Sequence, residues 1–218
     1  MTLALRVKPL FKFALSVAAA LTLGACVSWG GGKLPATLFT LPPASSLPVG
    51  TATTGKPAEA IVVFEPETDR RLGVQRVAVQ IDSSNIAYLK DAMWVERPAR
   101  LFQNLLAETI RAKSGKLVLV ADDSPGTGAL RLSGRLLEMG YDARSMSVVV
   151  RFDAIRTEPD GSVTHKRFES VIAGVAPEAV QVGPALNQAG NEVAQQVADW
   201  LTAPTAVAIP VVQTVPPK

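Results

Sequence analysis

The sequence predicts an α+β protein: a mostly antiparallel sheet with two main helices packed on one face, closing in a three-strand meander followed by a long helix. Three observations carry that expectation. Residues 98–113 and 177–202 each set apolar side chains at helical spacing. Residues 129–174 hold three long segments that alternate apolar and polar between short turn signals. Shorter β-type runs lie ahead of the first helix, and helices segregated to one face of a sheet bury such a set in one core.

The chain begins with a processing signal rather than with the fold. Residues 1–12 carry Arg6, Lys8 and Lys12 and no acid, and residues 13–25 are apolar with small residues at the end. That is the order of a signal peptide, and the apolar run is shorter than the ~20 residues a helix needs to cross a bilayer. Leu23, Gly24, Ala25 and Cys26 resemble the bacterial lipobox. The resemblance implies a diacylglycerol on the Cys26 sulfur, cleavage before Cys26 and acylation, as by palmitate, of the new amine. Val27 stands where lipoproteins kept in the inner membrane often carry Asp, which favours the outer membrane, periplasmic side.

Processing changes the charge. The chain has 22 Lys and Arg against 19 Asp and Glu, and the three basic residues before Cys26 leave with the signal. The mature protein is neutral and lacks the basic footprint of a nucleic-acid binder. Cys26 is the single cysteine, so no disulfide staples the body and the fold rests on its apolar core.

The elements follow in order. Residues 27–37, with three consecutive glycines, read as a tether. TLFTL, residues 37–41, reads as a short strand, and residues 42–58, rich in Pro, Ser, Thr and Gly, as a loop or linker. AIVVFEP (60–66) and VQRVAVQI (74–81) read as strands, and residues 82–85 as a turn. In the first helix Pro98 suits the first position, Lys113 the last turn and Gly115 the stop. Its stripe is Leu101, Phe102, Leu105, Leu106, Thr109 and Ile110. KLVLVA (116–121) is a buried-type strand, and residues 122–128 a loop. The meander alternates through Leu130, Leu132, Gly134 and Leu136, then through Met146, Val148, Val150, Phe152 and Ala154, and returns over residues 162–174 after the turn EPDG. The second helix carries Ala185, Leu186, Ala189, Val193, Val197, Trp200 and Leu201 on one stripe, with Pro184 in an early turn. The expected division is a signal over 1–25, a lipidated tether with a short strand and linker over 26–58, an α+β body over 59–202 and a disordered Pro-rich tail over 203–218.

No arrangement of residues points to turnover. The one histidine, His165, shares a strand face with Arg167 and Glu169, the pattern of a solvated face. Asp122 and Asp123 precede Ser124, Pro125 and Gly126 and read as a turn. The glycines at 126 and 128 lead into a strand rather than a helix, so they make no phosphate loop, and no serine sits in GxSxG. The expectation is a protein with no catalytic residue, no metal and no cofactor. The unusual stretch is residues 85–102. Ile86, Tyr88, Leu89, Met93 and Trp94 follow no clean period and read as a loop that packs Tyr88 and Trp94 on the sheet edge. Tyr and Trp also anchor interfaces, so Tyr88, Leu89, Met93 and Trp94 are the candidate contact residues for a sister subunit, a partner or lipid.

The lipobox, TLFTL and YLKDAMWVERPARLFQNLLAETI together resemble the auxiliary lipoproteins of ABC-type transport systems, of the PqiC-like kind. In that family an aromatic strand after the lipobox precedes a Tyr, a Trp and an amphipathic helix. Phe39, Tyr88 and Trp94 occupy those places here. The resemblance covers roughly residues 37–202. It implies a non-enzymatic role beside a mammalian-cell-entry (MCE) protein with its ABC permease and ATPase, which move lipids between membranes. A homo-oligomer is compatible with that role. A structural or assembly lipoprotein that partners an outer-membrane barrel is the alternative.

Overall fold

The computed structural model describes residues 37–121 and 130–203. The signal segment, Cys26, the loop with Asp122 and Asp123, and the tail from residue 204 lie outside them. The elements are β1 (Thr37–Phe39), a 3-10 turn (Pro57–Glu59), β2 (Ile61–Phe64), β3 (Arg76–Gln80), β4 (Ile86–Trp94), α1 (Pro98–Ser114), β5 (Val118–Ala121), β6 (Leu130–Asp142), β7 (Ser147–Thr157), β8 (Val163–Ala173) and α2 (Ala179–Thr202). The fold is the expected α+β class: over the described residues, a sheet of eight strands with two helices, the longer one after the meander.

The meander is the frame. β7 pairs antiparallel along its whole length with β6 on one side and β8 on the other. On the free edge of β6, β2 and β3 lie end to end and parallel to it. Ile61–Val63 face Leu130–Leu132, and Ala78–Gln80 face Gly140–Asp142. β5 extends the sheet beyond β2, while β4 and then β1 extend it beyond β3. The parallel contacts are three or four residues each. Gly134 holds a φ of +146°, and a Cβ there would lie 2.0 Å from the Asp153 carbonyl oxygen. Only a residue without a side chain lets β6 and β7 come this close.

Two bulges reset the side-chain phase. In β6 the register shifts between Leu136 and Glu138, so Leu137 is an extra residue. Leu132 and Leu136 point to the core before it, and Met139 and Tyr141 after it. The Leu137 carbonyl accepts a 2.7 Å bond from Arg71 Nη2. In β4 the four residues from Leu89 to Ala92 face the single Val77, and Asp91 takes a φ of 56°. This corrects the reading of the stretch 85–102 as an edge loop: Ile86–Trp94 form a nine-residue strand between β1 and β3. The bulge hides the strand, because it breaks the alternation by which a strand is recognised.

The helices cover one face. α1 starts at Pro98 and ends where Gly115, with φ 63°, donates its N–H to the Arg111 carbonyl. Its buried stripe, Phe102, Leu105, Leu106 and Ile110, gains roughly 1.5–3 kcal/mol per side chain from leaving water. Phe102 meets Phe152 of β7 edge to face at 5.3 Å. Gln103 is fully buried, and its amide donates to the carbonyls of Val63 and Ala121, tying the ends of β2 and β5 to the helix. α2 packs on α1, β7 and β8 through Leu186, Val193, Val197 and Leu201, with small residues at Ala189, Gly190, Ala194 and Ala198.

Candidate functional site

The chain enters the body along α2. Phe39 of β1 is buried against Gly183, where a Cβ would come within 2.9 Å of its ring. Two turns on, Gly190 gives the same room to Leu41. The side-chain amides of Asn187, between the glycines, and Asn191, just past Gly190, both donate to the Pro42 carbonyl, at 2.9 and 3.0 Å. The Asn191 carbonyl oxygen accepts from the Ala44 N–H at 2.6 Å. Farther along, the Leu47 N–H donates to Glu108 of α1 at 3.1 Å. Residues 39–47 are thus a strap, seated in two glycine notches and bonded by side chains one helical turn apart. Periodicity did not single out Asn187 or Asn191. The signal that could have found them is the i, i+4 amide pair beside two glycines seven residues apart.

β4 carries the four sequence-predicted contact residues and divides them. Leu89 and Trp94 face the helices and are buried, with Trp94 edge to face on Phe39 at 5.7 Å. Tyr88 and Met93 lie half-buried on the opposite, uncovered face. There Met93 neighbours Leu38 on one side and Arg76 on the other, and the Arg76 guanidinium stands 4.2 Å over the Tyr88 ring.

Farther across this open face the charges alternate in both directions. Arg135, Asp153 and Arg167 form one row across β6, β7 and β8, and Glu138, Arg151 and Glu169 the next. Arg167 grips Asp153 with two bonds, at 2.6 and 2.8 Å, and Arg151 binds Glu169. The Arg167 guanidinium holds the Asp153 carboxyl below the usual carboxylate range. His165 is exposed at the end of this grid, 3.8 Å from Asp153. Nearby, Arg71 bonds to Asp69, Gln80 and Glu138 as well as to the freed Leu137 carbonyl. It closes a shallow cleft of about 470 Å³ bordered by Asp82, Asp142 and Arg144. Each of these charges faces an opposite one, an arrangement suited to contact with water or a polar surface.

No described helix is long and apolar enough to cross a membrane. Fold and site together define a helix-backed α+β module held through a strapped N-terminal strand. The family model described as ABC-type transport auxiliary lipoprotein component matches residues 39–198, and the chain belongs to that family. The resemblance carried by the lipobox, Phe39, Tyr88 and Trp94 is therefore correct. Among solved structures, that of an uncharacterized protein matches with a TM-score of 0.61 at 12% identity, covering 76% of this chain and 97% of the other. Protein XCC0632 from Xanthomonas campestris, of the DUF330 family, matches with a TM-score of 0.54 at 16% identity, covering 77% and 92%. At these identities the likeness is one of fold. No curated protein matches the chain.

Proposed function

We propose that the mature protein is a non-enzymatic, outer-membrane-anchored periplasmic lipoprotein that serves an MCE-type intermembrane lipid transport system by docking and scaffolding. Residues 1–25 leave as the signal, the acylated Cys26 holds the chain on the membrane, and the body over 59–202 presents the docking surface. Each buried methylene contributes ~0.8 kcal/mol and stable anchoring takes roughly two acyl chains, so three hold the protein almost permanently. Val27 directs it to the outer membrane.

The observation that carries this reading is the strap. The segment that follows the acylated cysteine is built into the core at Phe39 and Leu41 and bonded to α2. Tension on the anchor therefore reaches the folded body directly, as a scaffold between membrane and partner requires. Membership of an ABC-type transport auxiliary family supports a transport system as the partner. Affinity capture of the tagged, full-length protein from detergent-solubilised membranes should recover an MCE-domain protein with its permease and ATPase. Recovery of an outer-membrane barrel alone would replace this proposal with an assembly role.

A further inference from the structure

The open face of the sheet is not uniformly charged. At the β1–β4 end it carries an apolar column: Ile86, Tyr88 and Met93 along β4 and Leu38 beside Met93 on β1, with exposed Val95 just past β4 and exposed Val74 just ahead of β3. Leu38 is 60% exposed, Val95 42% and Val74 39%. Among the described residues no helix covers this column, and β1 is the last strand on its side of the sheet.

The chain itself states what lies near. Cys26 is 11 residues before Thr37, so at ~3.6 Å per residue the acylated sulfur and β1 lie within about 40 Å of each other. The tether joins the body at the strand that borders the column. A tether this short keeps the column at an effective concentration of roughly millimolar at the lipid surface, so a contact too weak to hold a free domain is populated in the anchored one. The chemistry fits lipid. Aliphatic side chains are topped by a tyrosine with a guanidinium over its ring, and both reach outward from an apolar body to phosphate level. Lys90 and Asp91, adjacent in the bulge, cancel in charge.

We propose that the column of Leu38, Val74, Ile86, Tyr88, Met93 and Val95 rests on the phospholipid surface that holds Cys26, fixing which way the domain faces. The inference rests on the acylation assigned above and assigns Tyr88 and Met93 to lipid, with Leu89 and Trp94 supporting them from the core.

The test uses the full acylated chain in phosphatidylethanolamine and phosphatidylglycerol vesicles. Single cysteines at Leu38→Cys, Val95→Cys and, in the opposite corner of the same sheet, Val163→Cys carry a polarity-sensitive dye. Spin-labelled phospholipid should quench the dyes at 38 and 95 by roughly twofold or more and leave the dye at 163 unchanged, because an interfacial apolar face sinks several ångströms into the headgroup region. Adding Met93→Asp to the labelled chains should abolish the difference while flotation with vesicles persists. Equal quenching at all three positions, or protection at 38 and 95 that requires a partner protein, overturns the proposal and leaves acylation standing. Dye at Cys26 itself, or failure of the wild-type chain to float, overturns acylation and the proposal together.

Discussion

In the β6–β8 meander each strand finds its partner across a short turn. In the β1–β4 limb the register depends on a helix at the other end of the chain: Asn187, which bonds to the strap at Pro42, is 145 residues away. Apart from Gly134 and one bulge in β6, the meander needs only alternation and two turns. The limb needs a bulge, two glycine notches and an amide pair, none of which has a local cause. The difference separates what one stretch of sequence can specify alone from what only the closed fold can specify.

Three substitutions probe it. Gly134→Ala strikes the meander, where the new Cβ would meet the backbone of Asp153 rather than a movable side chain. It should cost ~4 kcal/mol or more and lower the denaturant midpoint of the whole body. If amide exchange accelerated only in β6, the meander would not be the frame.

Asn191→Ala strikes the limb. It removes the partner of the Ala44 N–H and one of the two donors to Pro42. The expected loss is about 1–2 kcal/mol, with exchange accelerated at Ala44 and unchanged along β7. Uniform acceleration would mean that strap and meander unfold as one.

The smallest effect is expected from the charged grid. The Asp153 carboxyl, held below its ordinary range by Arg167, contributes stability that is present above the unfolded carboxylate value near 4 and is lost as pH falls through the depressed one. Asp153→Asn should cost less than about 1 kcal/mol at pH 7, since the pair is at the surface. It should also flatten the acid limb of a stability-against-pH curve, measured by urea unfolding. A full-sized acid limb in the variant would remove Asp153 from the account.

The same division governs what was legible in the sequence. The two helices and the meander were readable because Leu105, Leu106 and Ile110, or Val148, Val150 and Phe152, keep one period throughout. β4 was not, because three surplus residues, an odd number, place Tyr88 and Trp94 on opposite faces although both have even numbers. Strict alternation would have put them together. The candidate contact set is therefore mixed in kind, two residues of core and two half-buried on the open face. Arg71 was invisible for a related reason: its role follows from the Leu137 carbonyl, which only the bulge in β6 sets free.

The seat of the strap also imposes an order of events. Asn187 and Asn191 follow Pro42 by 145 and 149 residues, so the buckle is absent until that whole stretch has been made. Through that interval residues 39–47 have nothing to close on. The arrival of α2 then fastens the strap, turning a trailing segment into part of the core.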